Sequence, residues 1–396
     1  MYKQLKYISL AVLLLPINFF VSAATPNDSI KVSLLTCEPG TEIYALFGHT
    51  AIRYENSPKG IDAVFNYGMF DFRAPNFIWR YIKGETDYQL GVVDYQYFAE
   101  EYTSRNSAVY QQTINLLPTE KEKLWDALSE NYLPENRTYR YNFFYDNCAT
   151  RPRDKIEESI NGIIHYNKNN SRQSFRDIIH ECTKGHEWAE FGIDLCLGSK
   201  ADEPIDYRLK MFAPFYLMNA VSTAKIVTKE NKERSLVSST SQVITKSGNI
   251  EEQKTAKYPA PLQVSIFLLL VTLLVSFWGL KKKKVFWGYD IVLFITAGCA
   301  GCIIAFLACF SEHPAVSPNY LLFFLHPIHL LYVPFMVQNA RKRKKDLYHL
   351  INFAILTLFI VLWGIIPQRF ALAVLPLALS LWVRSASYII LTYKHR

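Results

Sequence analysis

The chain reads as an α+β domain held outside the cell membrane, followed by an all-α membrane domain of five transmembrane helices. Three observations predict this. The N-terminus has the anatomy of a secretory signal. Residues 25–258 contain no apolar run long enough to cross a bilayer. After residue 259 come five apolar runs, each near the roughly 20 residues that a spanning helix needs. Composition agrees: of 396 residues, 50% are hydrophobic and 15% aromatic. That excludes a disordered chain, a collagen or a small disulfide scaffold.

Residues 1–24 form the expected signal peptide: Met1-Tyr2-Lys3-Gln4-Leu5-Lys6, an apolar run over 7–21, then Ser22-Ala23-Ala24. Cleavage is expected after Ala23 or Ala24. The spans fall at about 260–280, 286–310, 320–338, 347–366 and 370–391. Basic clusters at 281–284, 341–345 and 394–396 follow the first, third and fifth, whereas 311–319 and 367–369 hold almost no positive charge. Lys and Arg mark cytoplasmic loops, so an odd number of spans puts residues 25–258 outside. The net charge of +8 carries no nucleic-acid signal: residues 281–396 hold 13 Lys and Arg against Asp290, Glu312 and Asp346, in short clusters between apolar runs rather than on one phosphate-binding face. Trp278, Trp287 and Tyr289 suit an interfacial belt.

Within the outer domain, 25–221, the periods give a short helix or turn over 41–47 and strands over 49–54 and 63–67. Asn56-Ser57-Pro58-Lys59-Gly60 joins those strands as a hairpin. Helices are expected over 75–83 and 94–104, and a strand over 109–116. A helix follows over 119–132, opened by a capping box of Thr119 and Glu122. A strand over 139–144 and a helix over 149–159 complete the reading. Residues 222–258, rich in Ser, Thr and Lys, read as a mobile linker, and 259–396 as the membrane domain.

Of seven cysteines, Cys299, Cys302 and Cys309 fall in the second span as small packing residues, and Cys182 could pair with Cys196. Cys148 has a different setting. It lies in Tyr145-Asp146-Asn147-Cys148-Ala149-Thr150-Arg151, where a strand gives way to a helix. A helix N-terminus favours thiolate, and its backbone N–H groups can hold an oxyanion. Asn147 and Arg151 are the neighbouring candidates for that task. His49, after Gly48 at a strand start, is the natural base. Asn66 is the first choice to orient its ring across the hairpin, with Asp62 and Asp71 as alternatives. No ligand spacing supports a metal site, and no cofactor is expected.

These residues carry a resemblance. The order of a strand histidine, a hairpin and an Asn-Cys pair at a helix start resembles circularly permuted papain-like enzymes and the lecithin retinol acyltransferase group. More closely, the outer domain resembles the N-terminal periplasmic domain of the Lnb family, bacterial lipoprotein N-acyltransferases. The matching stretches are Phe47-Gly48-His49-Thr50-Ala51-Ile52-Arg53, Val64-Phe65-Asn66-Tyr67-Gly68-Met69-Phe70-Asp71-Phe72, and residues 141–151. In the membrane half Phe310-Ser311-Glu312-His313-Pro314 and residues 319–327 also fit. The resemblance implies a Cys148 nucleophile with His49 as its base. It implies a membrane phospholipid as acyl donor and diacylated lipoproteins as acceptors, in the bacterial inner membrane with the catalytic domain in the periplasm.

Two other readings stand beside it: a membrane-anchored papain-like cysteine peptidase or amidase acting on cell-wall peptides, and a non-catalytic scaffold with a structural Cys148. Glu312 and His313, on the outer side, could touch a lipid head group or seat the outer domain. His326 and His329 lie at membrane depth, while Asp290 and Arg384 are expected to snorkel toward the cytoplasmic ends.

Overall fold

The structure, a computed structural model, describes residues 29–71, 73–168, 171–246 and 258–393. The expected signal peptide lies outside the described residues. The outer domain is built on a seven-stranded antiparallel sheet of order β12-β5-β1-β2-β3-β4-β6. The strands are β1 (Ile30–Cys37), β2 (His49–Asn56), β3 (Ile61–Met69), β4 (Asp87–Asp94), β5 (Val109–Ile114) and β6 (Thr138–Arg140), with β7 (Ile163–His165), β8 (Gln173–Ser174), β9 (Pro204–Ile205), β10 (Lys225–Val227), β11 (Glu233–Ser235) and β12 (Val237–Ile244) later in the chain.

The central strand β1 is buried on both faces. Ile30, Val32 and Leu34 point into one core, with Leu124 and Leu128 of α3 (Pro118–Tyr132) and Ile156 of α4 (Thr150–Ser159). Leu35 and Cys37 point the other way, onto Phe98 and Tyr102 of α2 (Tyr95–Ser104). The two-residue period of a strand produces this division. The short helix α1 (Phe77–Lys83) lies between β3 and β4. A smaller helical layer, α5 (Phe175–Cys182), α6 (Glu187–Cys196), α7 (Tyr207–Lys210) and α8 (Pro214–Ser222), packs Phe175, Ile178 and Phe212 against Phe144.

Three local expectations change. The 139–144 strand shrinks to β6. The cap of α3 is Glu120 accepting the Leu117 N–H at 2.8 Å, not the Thr119–Glu122 pair. Residues 222–258 are not all tether: β10 pairs with β7 and β11, and β12 pairs with β5 along the sheet edge. The side chains of β12 are largely exposed, so backbone pairing rather than apolar burial orders this polar stretch.

The membrane half consists of α9 (Pro261–Lys281), α10 (Trp287–Phe310), α11 (Ile328–Arg341), α12 (Leu347–Val361) and α13 (Val374–Tyr393). Four segments are long and apolar enough to cross a bilayer, Pro261–Lys281, Trp287–Phe310, Tyr320–Arg341 and Val374–Tyr393. The 15-residue α12 is the shorter fifth apolar helix. Asp290 and Arg384 do not snorkel. Both are buried, and Arg384 donates to the Asp290 carboxylate at 2.5 and 3.0 Å and to Ser276 Oγ at 2.8 Å. Pairing replaces the water that each charge gives up. His329 bonds to Tyr348 and, at 2.7 Å, to the Phe324 carbonyl. The three cysteines of α10 are exposed on its surface rather than packed inside, and Cys182 and Cys196 are free thiols rather than a disulfide.

The two halves dock through polar contacts. Buried Arg176 bonds to Asp194 at 2.6 Å and Asp202 at 2.8 Å. Asp202 also accepts from Arg369, in the loop between α12 and α13, at 2.9 Å, and Arg369 reaches Asp177 at 2.6 Å. Gln368 and Asn319 donate to the carbonyls of Leu197 and Leu195.

Candidate active site

Two glycines shape the site. Gly48 takes a left-handed φ of +77°, and a Cβ there would come within 2.6 Å of the Cys37 carbonyl oxygen. Only glycine lets the chain turn so tightly into β2, which starts at His49. Gly68, at φ +90° near the end of β3, would place a Cβ 3.6 Å from Cys148 Cβ and 3.9 Å from the Tyr141 ring. The thiol therefore sits against the last turn of β3.

His49 and Asn66 meet across the hairpin. The β2–β3 ladder runs from Asn56 opposite Ile61 to Ile52 opposite Phe65. Extending it by one residue sets Asn66 against Ala51, on the same face as His49 because alternate residues share a face. The contact is thus diagonal rather than directly opposite, with His49 Nε2 3.2 Å from Asn66 Oδ1. With the amide oxygen accepting, Nε2 carries the proton and Nδ1 keeps its lone pair. Asp62 and Asp71 lie elsewhere. Asp62 forms a two-pronged pair with Arg53 at 2.8 and 2.7 Å, and exposed Asp71 holds Arg73.

Cys148 is a free, half-buried thiol. Thr50, the residue after His49, turns its backbone N–H toward the sulfur, as does Cys148 itself. Its approach chain is a tight loop closed by two backbone bonds between Asn142 and Asp146. The Asn147 side chain is the cap of α4. Its Oδ1 accepts from the N–H groups of Ala149 and Thr150, and its Nδ2 donates to the carbonyls of Phe143 and Phe212. Arg151 grips Asp146 at 2.5 and 2.7 Å and lies 3.5 Å over the Tyr139 ring. Both side chains build the loop, so the donors facing the sulfur are main-chain N–H groups and not these two residues.

The electrostatics also differ from the expectation of a helix-stabilised thiolate. Burial pushes the Cys148 thiol up to about 11, against the smaller lowering by the Thr50 and Cys148 N–H groups. The N–H groups that open α4 are taken up by Asn147, so the helix end lends little to the sulfur. Burial lowers His49 to about 4; the Asn66 bond opposes this and the Arg105 charge adds to it. At neutral pH Cys148 is therefore a thiol and His49 a neutral imidazole.

Glu312 and His313 join the halves. Glu312 pairs with Arg140 at 3.1 Å and its N–H donates to the Lys83 carbonyl, while His313 bonds to the Tyr81 carbonyl at 2.6 Å. Burial lowers the His313 imidazole below its ordinary range. Among the described residues no three His, Cys, Asp or Glu side chains gather as a metal site. The Thr50 N–H and the Tyr88 ring had no signal in the spacing, whereas Tyr141 opens the matched stretch 141–151 and Gly68 next to Tyr67 could have been read as a close approach.

Residues 20–181 match the Lnb N-terminal periplasmic domain, and residues 251–396 match the Lnb transmembrane domain. Neither the curated proteins nor the solved structures contain a match to the chain. The two domain matches fall in order and cover most of the sequence, with strands β1 to β6 and Cys148 in the first and the apolar helices in the second. The chain belongs to the Lnb family of lipoprotein N-acyltransferases, inner-membrane proteins with a periplasmic catalytic domain.

Proposed function

We propose that the protein moves an acyl chain from a membrane phospholipid, through a thioester on Cys148, to the α-amino group of a lipoprotein's diacylated N-terminal cysteine. The observation that supports this reading is the free Cys148 thiol facing the backbone N–H of Thr50, the residue that follows His49, whose ring Asn66 holds. In a permuted papain-like reading of the sheet, these are the nucleophile, base and orienting group.

Nδ1 of His49 takes the thiol proton as sulfur attacks the ester carbonyl. The N–H groups of Thr50 and Cys148 receive the developing oxyanion. The carbon–oxygen bond breaks, the imidazolium returns its proton to the leaving alkoxide, and a lysophospholipid departs. The acceptor amine then attacks the thioester. It loses its proton to His49, the carbon–sulfur bond breaks, and the thiolate regains a proton from the imidazolium. The amide product keeps the acyl chain and the thiol is restored.

Because thiol and imidazole are both neutral at rest, proton transfer accompanies attack rather than preceding it. Docking through Asp202–Arg369 and Glu312–Arg140 keeps the site at the membrane surface, where both lipid-anchored substrates reside. The test is mass spectrometry of lipoprotein N-termini from cells carrying the wild-type chain or Cys148→Ala. The N-acyl group should disappear in the variant, and its retention would refute the proposal.

A further inference from the structure

A run of aromatic rings leads from the Cys148 thiol to the membrane. A Cβ added at Gly68 would meet Cys148 Cβ at 3.6 Å and the Tyr141 ring at 3.9 Å, so the two flank the same glycine. Tyr141 stacks on Tyr88 with ring centres 4.1 Å apart, Tyr88 leans on Phe70 at 5.0 Å, and Phe70 stacks on Phe77 of α1 at 5.9 Å. Tyr44, just before the His49 strand, meets Phe70 edge-on at 6.2 Å. From α1, Trp79 packs against Phe306 of α10 at 5.1 Å. Phe306 is one turn from the end of that span, and Phe310 beyond it is exposed. Phe77 and Trp79, two apart on α1, face different ways, so the helix itself rather than a ring contact joins the run to the spanning helix.

The α1 end of this run and Tyr44 are exposed, whereas Tyr88 is buried. Ile78 is 75% exposed, Tyr44 62% and Trp79 54%. Water disfavours such a contiguous apolar surface, whereas hydrocarbon does not. Its continuity with α10 identifies what covers it. The loop after α10 also fixes α1 in place, since Ser311 Oγ and the Glu312 N–H donate to the carbonyls of Ile82 and Lys83. The Gly84 cap allows no Cβ there, because one would lie 2.8 Å from the His313 nitrogen.

We infer that the aromatic run Tyr141–Tyr88–Phe70–Phe77, continued by Ile78 and Trp79 on α1, is the binding path for the hydrocarbon tail of the acyl donor. The inference rests on the transferase reading above and adds to it the surface that recognises the tail. Ring faces and edges hold methylene chains by dispersion without requiring a fixed pose. Such a path pulls a donor chain out of the leaflet and ends at the nucleophile.

The test uses the full-length protein in lipid nanodiscs or detergent. It measures acylation of Cys148 by mass after acid quench. One donor is a dihexadecanoyl phospholipid and the other a water-soluble dibutanoyl phospholipid. The readout is the ratio of long-chain to short-chain acylation rates, which general damage to the catalytic groups leaves unchanged. Ile78→Ser, Trp79→Ser and Phe70→Ser should each lower the ratio by about tenfold, the scale of one lost apolar contact. Trp79→Phe should keep most of it. A ratio at the wild-type value in all three serine variants would overturn the path while leaving the transferase reading intact. No Cys148 adduct from either donor in the wild-type chain would overturn both.

Discussion

Asn66 Oδ1 accepts the Nε2 proton of His49 across 3.2 Å, from the neighbouring strand and the same face of the sheet. This contact holds the ring and assigns the free lone pair to Nδ1. Asn66→Ala should therefore lower the rate of Cys148 thioester formation by about 10-fold to 100-fold, the scale for losing an orienting partner. His49→Ala should lower it by about 10²-fold to 10⁴-fold, the scale for losing a general base. Initial rates with one donor decide it, and equal losses in the two variants would remove the positioning role of Asn66.

The pH dependence follows from the two shifts. His49 is depressed to about 4, so its base form persists to lower pH than in an ordinary histidine. Activity should fall only as pH drops through about 4, provided the chain remains folded. Cys148 is raised to about 11, so alkylation by iodoacetamide without substrate should keep rising above pH 8. An alkylation plateau reached below pH 8 would mean a preformed thiolate and contradict the neutral resting pair.

Gly68→Ala tests the close approach at the thiol. The left-handed φ of +90° strains any side chain, at a cost of about 1–2 kcal/mol. The added methyl would meet Cys148 Cβ at 3.6 Å, an ordinary contact, so the strain lies in the backbone that holds the thiol. Loss of thioester formation together with a lowered melting temperature is expected. A variant with wild-type stability and rate would contradict the described geometry.

The hairpin and its two polar residues were legible because Asn56-Ser57-Pro58-Lys59-Gly60 is an explicit turn, and because the period of a strand puts His49 and Asn66 on one face. The setting of Cys148 was legible for a similar local reason. The central strand β1 was not, because burial on both faces erases the alternation that marks a strand. Strand β12 was hidden by its polar edge position. The thiol's raised pKa could not be read from a helix start, since its burial depends on residues distant in sequence. Likewise Asp290 and Arg384 looked like independent charges near a membrane surface. Only packing of α13 against α10 and α9 joins them.

Arg176 should be the least replaceable charge in the docking layer. It is buried between Asp194 and Asp202, so Arg176→Ala leaves Asp194 with His180 and Asp202 with Arg369 as their remaining ion-pair partners. A loss of about 3–5 kcal/mol is expected, the scale for breaking a buried pair. Denaturation in detergent measures it. Arg369→Ala, at a half-exposed position, should cost much less.

The Asp290–Arg384 pair makes a similar claim inside the membrane. Asp290→Ala or Arg384→Met alone leaves one buried charge unpaired, whereas the two together remove both. The double variant should be more stable than either single variant in thermal melts. Strict additivity of the two losses would show that the pair is not coupled.

The central claim is that Cys148 carries the acyl chain. The most direct measurement is the mass of the peptide containing Cys148 after wild-type protein has been incubated with phospholipid and quenched in acid without an acceptor. An added acyl mass on that peptide is expected, removed by hydroxylamine and absent in His49→Ala. A peptide of unmodified mass alongside normal N-acylation of lipoproteins, or an acyl group found on another residue, would contradict it.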